Sequence, residues 1–367
     1  MTPADDLEGV VERAISLPVR SLEEVRREPL AYDAFLAGRS LTRVSGVAIV
    51  GAGRVPWSLI EKVTEPPGVA SEYQYDNGMR ELLAYRSGIL AEQVPGFAAA
   101  TAYATAELDD GTLVLRLEDL AGADVAWSAE TFMGAARHLG RFAGRWLGRV
   151  PEHAWLFREW IDRHSQPQAL AEGTRIVLEH LGDAGLGRPA VDDGARLLAD
   201  QPRFRAALER LPQTLCHHDA VKANLFTRLR DGVPETVAID WEMVGPGTVG
   251  ADLASLLFSS VRRGDMASSW LPDLTPRALT AYGAGLADMG APIDPETIRL
   301  GFSAAIALRW SLLRDVVVAR TTPGAMVFRG SAMAESPETA LDELIALTGY
   351  LLETAEVART FDRETGA

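Results

Sequence analysis

The chain has 367 residues, 47% of them apolar and 24% charged, with a formal net charge of −15 and one cysteine. This length suits two lobes with separate cores. The single Cys216 excludes a disulfide framework and a cysteine-based zinc site, and the acidity argues against a nucleic-acid partner, whose phosphates it would repel.

No basic, apolar leader opens the sequence, and the apolar runs at 98–106 and 304–313 are short or broken by Arg309. A cytoplasmic protein with no membrane partner is expected. Three β-rich runs come first, at 29–36, 41–50 and 57–64. The turns between them hold Gly38-Arg39-Ser40 and Gly51-Ala52-Gly53. A small-residue turn lets backbone N–H groups approach phosphate oxygens. Gly38, Arg39 and Ser40 are the candidate for that task on strand order, and Gly51 with Gly53 reads as an ordinary hairpin. No G-x-G-x-x-G lies among these three runs and their turns, and the P-loop G-x-x-x-x-G-K-[ST] occurs nowhere in the chain. In the third run, alternation puts Ser58, Ile60 and Lys62 on one face and Leu59, Glu61 and Val63 on the other. Lys62 can then point into a cleft, with a solvent-facing lysine as the plain alternative.

Residues 76–92 have Leu82, Leu83, Tyr85 and Ile89 at helical spacing. Strands are expected at 101–108 and 112–117, joined by Asp109-Asp110-Gly111, a strong hairpin signal. A lobe boundary is expected at 121–127. Helices follow at 131–147, 155–164 and 169–181, and Gly140 with Gly144 in the first predicts a close helix contact. His138, His153, His164 and His180 lack metal-site spacing and read as packing or solvated residues. Beyond 240 come a Gly/Pro loop at 245–250, an apolar helix opened by Asp252, and long helices at 299–320 and 336–358.

The chemistry concentrates between these regions. His217-His218-Asp219-Ala220-Val221-Lys222-Ala223-Asn224 has the form H-x-D-x-x-x-x-N, and Ile239-Asp240-Trp241-Glu242 places another acid at the end of an apolar run. Residues 228–234 read as the hairpin turn between two short strands. Phosphoryl transfer needs a carboxylate to take the acceptor's proton and oxygen ligands for a magnesium ion that neutralises the phosphates. Asp219, Asn224 and Asp240, on a loop and neighbouring strand ends, can converge for this work. The alternative is two turn residues and a strand-end cap.

Loop and strand together resemble the aminoglycoside phosphotransferase and choline kinase family, small-molecule kinases of protein-kinase-like fold. The family pattern is H-G-D-x-x-x-x-N followed by an I-D-W or I-D-F strand; His218 stands where the family has Gly. The resemblance covers about residues 29–350 and is sharp at 215–256. It implies an α+β, two-lobed fold: an N-lobe at 1–120, with an antiparallel sheet and a helix for the nucleotide, and a helical C-lobe at 121–367 with the catalytic hairpin and acceptor site. It implies Asp219 as catalytic base, Asn224 and Asp240 as Mg²⁺ ligands, and His217 as a buttress of the loop. Arg80-Glu81-Leu82-Leu83-Ala84-Tyr85 is similar to the family's R-E-x-x-x-Y helix, so Glu81 would orient Lys62 on the nucleotide phosphates; Glu72, the competing acid, falls before the helix. Leu117-Glu118-Asp119-Leu120 resembles the family's L-E-D-L segment, placing backbone groups of Glu118 to Leu120 at the nucleobase. Asp252, in a D-L-A segment, would brace the loops. His218, Glu242, Arg309, Trp310 and Arg314 are acceptor-site candidates. The implied reaction is ATP- or GTP-dependent, Mg²⁺-dependent O-phosphorylation of a small molecule. An antibiotic acceptor, aminoglycoside-like or nucleoside-like, is expected first. The alternatives are a metabolic kinase of a sugar, choline-like amine or amino alcohol, and a pseudokinase-like binding module.

Overall fold

The computed structural model describes residues 6–30, 38–66, 78–122, 126–164, 167–180, 188–322 and 336–365. The chain forms two compact units. The first takes in residues 1–93, 98–125 and 226–244; the second takes in 94–97, 126–225 and 245–367.

The first unit opens with α1 (Leu7–Ile15), then β1 (Ser21–Pro29), β2 (Arg39–Val50), β3 (Gly53–Thr64) and α2 (Met79–Arg86). The short β4 (Phe97–Ala99) precedes β5 (Ala102–Glu107) and β6 (Leu113–Glu118). Five strands make one sheet in the order β1-β2-β3-β6-β5, with every pair antiparallel. One face carries Val44, Ala48, Trp57 and Leu59 and packs on Val10 and Val11 of α1. The other carries Leu113, Leu115 and Leu117 and packs on Leu82 of α2. Burying each valine or leucine among them contributes about 1.5–3 kcal/mol. The register pairs Lys62 with Leu115 and Ile60 with Leu117, so Lys62 lies on the α2 face.

The first strand differs from expectation. It occupies Ser21–Pro29, and 31–36 lie outside the described residues. β1 is an exposed edge strand of Glu and Arg with an irregularity between Glu23 and Arg26. Charge on an edge strand blocks wrong pairing and erases the apolar alternation that marks a strand. The helix expected at 76–92 is α2 alone, begun at Gly78 in the left-handed region and ended at Ser87, before Gly88 at φ +79°. Glu72, Asp76 and Asn77 lie outside the described residues.

The second unit contains α3 (Ala129–Trp146), α4 (Trp160–His164), α5 (Pro167–His180), α6 (Arg188–Ala199), α7 (Gln201–Arg210) and β7 (Gln213–Cys216). After a one-turn 3₁₀ segment at Lys222–Asn224, β8 (Leu225–Arg230) and β9 (Val233–Ala238) form a hairpin belonging to the first unit. Its two-residue turn has Asp231 at φ +52° and Gly232 at φ +80°, the twist that suits a tight hairpin. The second unit resumes with β10 (Gly245–Thr248), paired antiparallel with β7. A continuous helix follows: α8 (Ala251–Ala254), a π-turn at Ser255–Ser259, and α9 (Ser260–Arg263). The remaining helices are α10 (Leu271–Asp288), α11 (Pro295–Ala307), α12 (Ser311–Thr321) and α13 (Pro337–Thr365).

The close contact predicted for Gly140 and Gly144 is made between α3 and α10. A Cβ on Gly140 would sit 2.1 Å from the Tyr282 carbonyl oxygen, and one on Gly285 would sit 2.0 Å from that of Arg137. The residues expected to form a Gly/Pro loop after 244 are strand β10 instead. A Cβ on Gly245 would lie 1.9 Å from the Phe157 carbonyl oxygen and one on Gly247 would lie 2.7 Å from Cys216 Sγ, so the strand is glycine-rich because its neighbours press on it. The helix expected at 299–320 is broken at Leu308–Trp310 into α11 and α12, and the one expected at 155–164 shrinks to α4.

Candidate active site

In the first unit the site is built around Lys62. Its Nζ lies 2.6 Å from Glu81 Oε2 and 2.7 Å from Asp240 Oδ1. Lys62 is 7% exposed and Glu81 1%. Gly78 makes the pairing possible. A Cβ there would meet the Thr64 side chain at 3.0 Å, so the glycine seats α2 against the end of β3 and brings Glu81, in its first turn, over the lysine. Burial holds the Glu81 carboxyl above its ordinary value while the Lys62 ammonium works against that rise. One turn on, burial also pushes the Tyr85 hydroxyl well up; it is buried and has no hydrogen-bond partner among the described residues.

Asp240 follows β9 with φ 61° and ψ 60°, left-handed values that cost a non-glycine residue about 1–3 kcal/mol. The next three residues form a 3₁₀ turn in which Trp241 is fully buried, its Nε1–H donating to the Ala238 carbonyl at 3.2 Å. The turn is clamped at Glu242. Arg39 donates to both its carboxylate oxygens, at 2.5 and 2.6 Å, and Arg80 donates to its backbone oxygen at 2.6 Å.

In the second unit, β7 delivers the loop at 217–221. Asn224 Nδ2 donates to the Asp219 backbone oxygen at 2.9 Å and to Asp219 Oδ2 at 2.8 Å. The Asp219 N–H donates to His217 Nδ1 at 3.3 Å. Asp252, in the first turn of α8, accepts from the backbone N–H groups of His217 and His218, both at 2.8 Å. His218 has φ +65°, which explains why a glycine suits this position. Its ring stacks on Trp160 with centroids 5.3 Å apart, and Nε2 lies 2.9 Å from the Pro246 carbonyl. A carbonyl only accepts, so Nε2 carries the proton; burial lowers the ring's pKa to about 3 and keeps it neutral. Cys216, His218 and Asp252 offer ligand atoms within 4.8 Å of one another. Both Asp252 oxygens are already held by backbone N–H groups, and the cluster acts as a brace under the loop.

A family model described as the phosphotransferase enzyme family matches residues 80–295, more than half of the chain. The chain belongs to that family. It is a small-molecule phosphotransferase with the α+β, kinase-like fold. No curated protein matches it in sequence. Among solved structures it is similar to an aminoglycoside phosphotransferase from Alicyclobacillus acidocaldarius subsp. acidocaldarius DSM 446, with a TM-score of 0.55, 16% identity and 96% of each chain covered. It is also similar to an amicoumacin kinase in complex with AMP-PNP, Ca²⁺ and Ami, with a TM-score of 0.50, 15% identity, and 98% of this chain and 97% of that one covered.

The remaining site candidates of this phosphotransferase fall as follows. Gly38, at φ +82°, ends the connection from β1, of which 31–37 lie outside the described residues; Arg39 and Ser40 already belong to β2. The Arg39 side chain is 1% exposed and committed to Glu242, so it is a strut in this structure. The Glu118 N–H donates to the Thr101 carbonyl at 2.8 Å, and its carboxylate takes Arg228 and Thr101. Leu120 is buried with Ala100 and Val237. Arg309 is 5% exposed, and its three nitrogens donate within the second unit to Ser259, Ala305 and Ser255. Burial lowers its pKa to about 10, with Arg262 adding to the fall and Asp219 and Asp252 opposing it. Trp310 is buried and donates to the His164 carbonyl at 2.9 Å; Arg314 lies nearer the surface beside Asp315. Ser255 was missed by sequence reasoning, because a serine inside a helix carries no motif of its own; Arg80 was read only as part of the R-E-x-x-x-Y resemblance, and its bond to the Glu242 backbone joins residues 162 apart in sequence.

Proposed function

We propose that the chain catalyses ATP- or GTP-dependent, Mg²⁺-dependent transfer of a phosphoryl group to a hydroxyl of a small molecule. The observation that carries this reading is the buried Lys62 ammonium held between Glu81 and Asp240. A lysine is buried only when its charge is matched, and this one is matched by two acids. In its role it grips the donor phosphates. Asp219 accepts the proton of the attacking hydroxyl and orients it. Asn224 fixes that carboxylate through its Nδ2.

The chemistry of the two proposed ligands, taken one by one, suits a magnesium ion. Asn224 spends its Nδ2 on Asp219, which leaves the amide oxygen to offer, and Asp240 adds a carboxylate. Amide and carboxylate oxygens are hard ligands of the kind Mg²⁺ takes. When bound, the ion neutralises charge on the phosphates; positioning supplies most of the remaining rate. In this reading Gly38 and the start of β2 lie at the phosphates, and the backbone of Glu118 to Leu120 at the nucleobase.

For the acceptor we take first a hydroxylated antibiotic of aminoglycoside-like or nucleoside-like build, since one of the two neighbours is an aminoglycoside phosphotransferase. A nucleotide-consumption screen over hydroxylated antibiotics in one arm, and sugars, choline-like amines and amino alcohols in the other, tests the reading. Turnover with an antibiotic, lost in Asp219→Asn, is the expected result. Turnover confined to the second arm would make the chain a metabolic kinase, and none in either would leave a nucleotide-binding module.

A further inference from the structure

The loop carrying Asp219 is fastened to one short stretch of helix. Asp252 takes the N–H groups of His217 and His218. The Ser255 hydroxyl donates to the His218 carbonyl at 3.1 Å. Ser260 Oγ accepts the Lys222 N–H at 2.8 Å. Residues 252–260 thus hold the loop's backbone on both sides of Asp219, and the π-turn at Ser255–Ser259 lies in that stretch, a feature frequent at functional sites.

A serine hydroxyl can rotate, so Ser255 alone does not fix the direction of its bond. Arg309 removes that freedom. Its Nη2 donates to Ser255 Oγ at 2.9 Å, which obliges the hydroxyl to spend its own hydrogen on His218. Its Nε donates to Ser259 Oγ at 3.3 Å and its Nη1 to the Ala305 carbonyl at 2.6 Å, so the fork is anchored at both ends. The guanidinium also lies 5.3 Å from the centroid of Trp160, the ring on which the His218 imidazole stacks. Both sides of His218, carbonyl and ring, therefore rest on groups that Arg309 holds. His218 needs holding, because its left-handed φ of +65° is costly for any residue but glycine.

We infer that Arg309 is a positioning residue of the phosphotransfer loop: it orients the Ser255 hydroxyl and the Trp160 ring that keep His218, and so Asp219, in place. The catalytic meaning rests on the reading of Asp219 as base; the positioning does not. A buried guanidinium with planar, forked donors does this work, and a lysine, with a compact ammonium, reproduces it only in part.

Amide hydrogen exchange on the full chain tests the inference. In Arg309→Met and in Ser255→Ala, exchange at the His217 and His218 amides is expected to rise about tenfold or more, with amides of α3 and α10 unchanged. The double variant should rise no further than the larger single, since both act through one relay. Arg309→Lys should recover part of the protection. Ser255→Ala removes a single hydroxyl, so it serves where the larger change fails to fold. Unchanged exchange at His217 and His218 in Ser255→Ala overturns the inference, as does a rise spread evenly over α3 and α10. Turnover of Asp219→Asn probes the base separately, so the two readings can fail apart.

Discussion

At the residue scale, the site depends on a few charges with committed partners. Asp219→Asn keeps a group of the same shape beside Asn224 but removes the proton acceptor. We expect kcat to fall roughly 10²–10⁴-fold with nucleotide binding kept, measured by steady-state turnover and calorimetry. Near wild-type turnover would take Asp219 out of the mechanism. Lys62→Ala acts elsewhere: it leaves Glu81 buried without its 2.6 Å partner and removes a grip on the donor. The KM for nucleotide should rise far more than that for the acceptor; an equal rise in both would assign Lys62 to the fold rather than the donor. Exposed ion pairs contribute only about 0–1 kcal/mol, and this pair differs because it lies away from water.

At the element scale, glycines set how closely parts approach. On α10, Gly285 leaves no room: a Cβ would lie 2.0 Å from the Arg137 carbonyl and 2.8 Å from the Arg141 nitrogen. Gly285→Ala must push the helices apart and should cost about 1–3 kcal/mol in urea unfolding. Gly134, inside α3, has nothing within 4 Å of its would-be Cβ. Gly134→Ala should instead stabilise by about 0.5–1 kcal/mol, the helix propensity difference. If the two substitutions had the same sign, close packing would not be the reason for the glycine at 285.

At the scale of the whole molecule, acid stability should reflect buried histidines. Burial lowers His164 to about 4 and His218 to about 3. An unfolded histidine titrates near 6.5, so between these values the unfolded chain holds more protons and stability falls as pH is lowered. Each histidine adds a slope of up to about 1.4 kcal/mol per pH unit. The Asp252 carboxyl, raised by burial, has the opposite sign, favouring the folded state as pH falls, and is common to both proteins compared below. We expect the thermal midpoint to drop from pH 7 to 5, and His164→Asn to flatten the drop. An identical profile in the variant would mean that His164 titrates normally in the folded chain. Among the described residues no helix is long and apolar enough to cross a membrane.

The sequence by itself determined the motif-bearing parts. The H-x-D-x-x-x-x-N loop, the Ile239-Asp240 strand end and the Asp-Gly hairpins are local features, fixed by short spacings and turn chemistry. Strand alternation was enough to put Lys62 on a different face from Leu59, and helical spacing to put Glu81 on the next helix. Tertiary structure decided what those patterns leave open. The charged edge strand β1 has no apolar period to read, and only its pairing with β2 makes it a strand. Gly245 and Gly247 look like a loop until Phe157 and Cys216 are seen to press on them. Arg39 and Arg309 read as cations free to meet a ligand, yet each is buried on partners 203 and about 50 residues away in sequence. Spacing shows which side chains share a strand or helix face; which charges are spent on one another depends on contacts between distant segments, and these exist only in the folded chain.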